Sequence, residues 1–126
     1  MTREQREISD TLDAMFEAWN SEEQARYLSF YWDDDDLRWS MKGVWYQGLS
    51  SMRALYGDGY PQGAMGTIAK TEVEVQMLAE GLGIALYRWT HEAPLEKVAG
   101  CTSQLFRRFD GVWRVIHENS ARVPKD

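Results

Sequence analysis

Two hydrophobic periods divide the chain: helical spacing dominates the first half, and alternation takes over from Thr67. Ile8, Leu12, Met15, Phe16 and Trp19 recur on one helical face. Thr2 with Gln5 three residues on makes a capping box, so the spacing predicts an amphipathic helix of about four turns that stops near Asn20. Ser21 and Gln24 form a second box, opening a shorter helix through Ala25 and Leu28 towards Tyr31. "WDDDDLRWSMKGVWYQG" reads as a loop and two short strands around residues 42–43. "LSSMRALYG" reads as a short third helix, capped by Ser50 or Ser51 and stopped at Gly57, and "GDGYPQGAMG" as a Gly-rich loop.

Beyond Thr67, Val73, Val75 and Met77 alternate with Glu72, Glu74 and Gln76, which predicts a strand with one wet face. "AEGLG" turns the chain into a strand over 84–92, and "APLEK" turns it again into 98–109. Asp110 with Gly111 is the strongest hairpin signal and leads into a last strand over 112–120. Helices followed by an antiparallel meander make the expected class α+β.

Composition narrows the function classes. A chain of 126 residues fits one domain, 1–126, and buries about two-thirds of its unfolded surface. Its net charge is −6 and no stretch concentrates cations beyond Arg107 and Arg108, which argues against a nucleic-acid partner. One cysteine excludes an intramolecular disulfide and suits a reducing compartment. The charged start has no apolar signal core and no apolar run reaches membrane-spanning length, so a cytoplasmic protein without a membrane partner is expected. Six tryptophans and six tyrosines must either fill a core or line an apolar cavity.

"ALYRWT" at 85–90 and "GCTSQLFRRFDGVWRVIHENS" at 100–120 resemble the end of SnoaL-like domains, and "FYWDDDDLRWS" with the helix after it resembles their middle. These domains belong to the nuclear transport factor 2-like superfamily, with ketosteroid isomerase, scytalone dehydratase and the association domain of calcium/calmodulin-dependent protein kinase II. The resemblance covers almost the whole chain, most specifically from Arg88 to Ser120. It implies a cone-shaped fold of cystatin-like topology: a strongly bent antiparallel sheet around the long first helix, a ligand pocket at the open end, and a homodimer formed through the sheet. The superfamily mixes isomerases, cyclases, dehydratases, hydrolases and assembly domains, so the resemblance speaks to fold rather than chemistry. The function expected is small-molecule binding, either in a cofactor-independent isomerase, cyclase or hydratase acting on a small hydrophobic or aromatic substrate, or in a non-catalytic ligand-binding or oligomerisation domain.

Arg88 interrupts an apolar stripe with Ile84 and Leu86, and is either an anion clamp in the pocket or half of a surface salt bridge. The resemblance to the kinase association domain places this arginine in the cavity, and puts Gln104 where that domain has a second one. By strict alternation His117 and Asn119 share a face of the last strand and Glu118 points the other way. His117 is then the candidate for general acid–base work, with a structural histidine as the plainer reading. The pair His117 and Asn119 is preferred to Glu118 with Ile116 because Trp113 and Val115 extend its face. Arg88, Gln104, His117 and Asn119 are therefore expected on one cavity, with Trp32 or Trp39 as its opposite wall and Trp19 also lining it. Alignment with ketosteroid isomerase puts Ser40, not a carboxylate, at the position of the base. The acids Asp33 to Asp36 fit no Ca²⁺ loop, so no metal is expected. His91 reads as a surface group and Cys101 as a structural or surface thiol.

Overall fold

A computed structural model of the chain describes residues 1–59 and 64–123. Part of the expected Gly-rich loop, residues 60–63, lies outside them. Helix α1 (Arg3–Asn20) forms where the spacing places it. Thr2 Oγ1 accepts from the Gln5 amide at 3.2 Å and Gln5 Oε1 accepts from the Thr2 amide at 2.8 Å, closing the expected box. The second box does not form: Ser21 is used as the cap of α1, its N–H donating to Glu17 O at 3.0 Å. α2 (Gln24–Leu28) starts instead from Glu23, without a side-chain cap.

β1 (Arg38–Met41) and β2 (Val44–Gln47) pair through a turn in which Lys42 and Gly43 both have positive φ, 53° and 77°. α3 (Gly48–Gly59) begins before the expected serine cap and runs past Gly57. β3 (Thr67–Ala79), β4 (Leu82–Ala93), β5 (Glu96–Phe109) and β6 (Val112–Arg122) form the expected meander. The six strands lie in the order β2-β1-β6-β5-β4-β3, and β1 pairs with β6 in parallel. The sheet is therefore mixed, not antiparallel throughout. The chain reaches β6 through the three hairpins of the meander, and β1 from the helical half then pairs along its free side. No helix among the described residues is long and apolar enough to cross a membrane.

One sheet face, called inner below, packs on the helices. Ile8, Leu12 and Met15 of α1 meet Phe106, Trp113 and Val115 there, with Tyr31, Leu37 and Trp39. Burying each large side chain contributes roughly 1.5–3 kcal/mol, so this cluster fixes which face is inside. Registers then decide which polar groups join it. Ala93 pairs with Glu96 across a two-residue turn, so even-numbered residues of β4 stand beside odd-numbered ones of β5. A bulge between Thr71 and Glu74, where Glu72 has φ 53°, ejects Val73 from the inner row while Val75 and Met77 stay packed. A second bulge lies in β6: Phe106 pairs with Val115 but Leu105 pairs with His117, so Ile116 is the extra residue.

Candidate functional site

The β6 bulge determines the site. Trp113 and Val115 face inward, and the extra Ile116 reverses the alternation so that Glu118 and Ser120 face inward too. Three rows of side chains cross the inner face. Ala85, Gln104, Glu118 and Trp39 make one row, Tyr87, Thr102 and Ser120 the next, and Trp89, Gly100 and Arg122 the third.

Glu118 is 5% exposed. Tyr31 Oη donates to its Oε1 at 2.6 Å and Gln104 Nε2 donates to the same oxygen at 2.5 Å. The Tyr31 proton is thus committed to Glu118, which makes Tyr27 the donor of the 3.1 Å bond between the two phenols. Both donors converge on Oε1, and Glu118 itself lines the cavity. Burial disfavours the charged form and raises the Glu118 pKa above the ordinary carboxylate value, although the bonds from Tyr31 and Gln104 act the other way. Burial, reinforced by the Glu118 charge, pushes the Tyr31 and Tyr87 phenols up and keeps them neutral donors.

Glu118 opens on a cavity of about 110 Å³ between the C-terminal half of α1, α2, α3 and the end of the sheet. Phe16, Trp19, Tyr27, Tyr56, Tyr87 and Trp89 supply its aromatic walls. A hydroxyl patch lies on the sheet side: Trp89 Nε1 donates to Thr102 Oγ1 at 2.9 Å, and Thr102 and Ser120 hydroxyls are 2.6 Å apart. Gly100 permits this arrangement, since a Cβ there would lie 2.4 Å from the Trp89 ring. His91 stands at the rim with its Nε2 2.6 Å from Met65 O, so that nitrogen carries the proton, and its ring meets Trp19 edge-on.

The expected convergence of Arg88, Gln104, His117 and Asn119 does not occur. Gln104 is inside, 1% exposed, but the odd–even register puts Cys101 opposite Arg88. Arg88 lies on the outer face, where its Nε meets Glu72 at 2.7 Å, the salt-bridge alternative. His117 and Asn119 are outer as well, because of the bulge: His117 stacks near Trp45, at 5.6 Å between centroids, and Asn119 hydrogen-bonds Ser40. Trp19 lines the cavity. Trp39 is fully buried in the core, its indole donating to Ser51 Oγ at 3.0 Å. Trp32 stacks on Phe109 at 5.9 Å beside a separate groove, not on this cavity. Cys101 is exposed, whereas His91 belongs to the cavity rim rather than the surface. Asp33 to Asp36 form a turn in which Asp34 accepts from the Asp36 amide at 2.8 Å.

Alternation missed Glu118, yet the adjacent apolar pair Val115 and Ile116 was a sign that it breaks there. Tyr27, Tyr31, Tyr56 and Tyr87 carried no signal beyond their abundance.

No protein-family model matches the sequence, and neither does any curated protein. Solved structures match at the level of fold. An NTF2-like protein of unknown function from Shewanella oneidensis superposes with a TM-score of 0.86 at 24% identity, over 92% of this chain and 97% of that one. A putative calcium/calmodulin-dependent protein kinase II association domain from Xanthomonas campestris gives 0.76 at 13%, over 96% and 89%. A hexachlorocyclohexane dehydrochlorinase, LinA type 2, gives 0.70 at 17%, over 94% and 84%. The chain thus has the NTF2-like, cystatin-like α+β fold.

Proposed function

We propose that the chain binds a small, mostly apolar molecule in the inner cavity and that Glu118 exchanges a proton with it. The observation that carries this reading is a buried carboxylate, two of its hydrogen bonds held on one oxygen, at the floor of an aromatic cavity. A raised pKa suits a carboxyl group for taking and returning protons near neutrality, and no cofactor is needed for such a step. The reaction class would be isomerisation, cyclisation or hydration. Thr102 and Ser120 would orient a polar atom of the ligand, and Tyr31 and Gln104 would hold the carboxylate. This transfers the acid–base role first expected of His117 to Glu118. That a dehydrochlorinase has the same fold is compatible with proton removal from a small apolar substrate here.

A second reading is a non-catalytic ligand-binding domain. The modest cavity, about 110 Å³, favours it, as does the shared fold of the kinase association domain. In either reading the outer sheet face serves a homodimer.

Chemical-shift mapping with phenol and cyclohexanone as probes tests the site. Perturbations should centre on Trp19, Trp89 and Thr102 and weaken in Glu118→Gln. Perturbations confined to the groove beside Trp32, or to the outer face, would refute it.

A further inference from the structure

Glu118 is a buried carboxylate with no counter-ion among the described residues. The groups facing it are the phenols of Tyr31 and Tyr87 and the amide of Gln104, while Tyr27, bonded to Tyr31, and Tyr56 line the same cavity. Charged or titratable groups on the same cavity stand at its rim: His91, turned to Met65 O, and Arg122, 3.4 Å from Glu96. α1 contributes only Phe16 and Trp19. Buried charges in folded proteins are normally paired, so an ionised Glu118 on this cavity calls for a positive group.

The walls supply the rest of a cation site. Trp19 meets Tyr27 at 5.1 Å and 74° and Tyr56 at 5.5 Å and 85°, and Phe16 meets Tyr87 at 5.5 Å and 77°. These edge-to-face pairs hold the rings that line the cavity in place, and aromatic faces attract a cation that has shed its water. The cavity is small. Its volume of about 110 Å³ suits a compact, trimethylammonium-sized head.

We propose that the cavity takes the head of a small organic ammonium, a protonated tertiary amine or a quaternary ammonium, with Glu118 as its counter-ion. This rests on the inner cavity being the ligand site. A neutral amine that meets protonated Glu118 accepts its proton on the nitrogen lone pair, leaving ammonium and carboxylate. A quaternary ammonium has no lone pair, so where Glu118 is protonated its binding expels that proton to the solvent. Neutral molecules of the same shape gain at most a hydrogen bond from the carboxylate, and anions are opposed by it.

Isothermal titration calorimetry of the full chain distinguishes these cases. Tetramethylammonium chloride and its neutral near-isostere tert-butanol are titrated into wild type and Glu118→Gln, in two buffers of different ionisation enthalpy. Tetramethylammonium should bind wild type roughly tenfold or more tighter than tert-butanol, lose about as much in the variant, and, at a pH where Glu118 is protonated, release a proton seen as an observed heat that differs between the two buffers. Equal or better binding of tert-butanol to wild type would overturn the cation assignment and leave the cavity as a site for neutral ligands. That comparison does not depend on the variant folding. Binding of neither probe would overturn both the assignment and the cavity reading beneath it.

Discussion

Gln104 and Glu118 stand opposite each other on neighbouring strands, and the amide of one donates to the carboxylate of the other at 2.5 Å. They meet because Ile116 is an extra residue between them and the hairpin turn. Without that bulge, counting back from the turn pairs Gln104 with His117, and the inner face would carry an imidazole in place of a carboxylate.

The buried carboxylate makes stability depend on pH in a definite direction. Unfolded, Glu118 titrates near 4.5; folded, its value is raised because burial penalises the charge. Between the two the folded chain holds a proton that the unfolded chain has released, so this group's contribution falls as pH rises through the folded value. Glu118→Gln keeps an oxygen to accept from Tyr31 and Gln104. It should stabilise the fold at neutral pH by roughly 1–3 kcal/mol and flatten the slope. Thermal melts of both proteins across a pH series check this, and a variant less stable at neutral pH would contradict it.

Gly100→Ala should damage the cavity through Trp89. The added Cβ would lie 2.4 Å from the indole and 2.3 Å from Ala121 O, so either the ring leaves Thr102 or the β5–β6 pairing opens. A loss of about 1–3 kcal/mol is expected, with weaker probe binding. Chemical denaturation and titration with phenol measure the two effects. Wild-type values for both would show that the indole has room that the structure does not indicate.

The Asp110 turn should be structural. Asp110 and Gly111 have φ of 49° and 82°, and a Cβ on Gly111 would meet no atom within 4 Å. Gly111→Val therefore incurs backbone strain alone, about 1–2 kcal/mol, and should leave ligand affinity unchanged. A variant that melts like wild type but no longer binds would reverse that assignment.

The outer face carries half-buried Ile84, Leu86 and Leu105 and the exposed Trp45. Covering it with a second copy would remove this apolar surface from water. Light scattering at micromolar concentration is expected to give twice 14.6 kDa, and Leu86→Glu to reduce it. A wild-type monomer would rule the dimer out.

The helix α1, its cap, the meander and the Asp110 turn were legible in sequence because each rests on local signals: spacing, a side-chain cap, a two-residue turn. The inner face was not. β4 is apolar on both sides, with Ile84 and Leu86 on one and Ala85 and Tyr87 on the other, so period two alone could not choose between Arg88 and Trp89. The choice is made by the turn at Pro94 and Leu95, which fixes parity, and by the mass of aromatic side chains that α1 must cover. A single-residue bulge then inverted the last strand and exchanged His117 for Glu118. The parallel pairing of β1 with β6 is a long-range contact for which the sequence has no local signal.

The central claim is that Glu118 meets a ligand and exchanges a proton in the inner cavity. A ¹³C NMR titration of its side-chain carboxyl, assigned through Glu118→Gln, tests this most directly when run with and without a saturating probe. The expected result is a midpoint above 4.5 in the free protein that moves when the cavity is filled. A carboxyl that titrates at 4.5 and ignores every molecule bound elsewhere on the chain would contradict it.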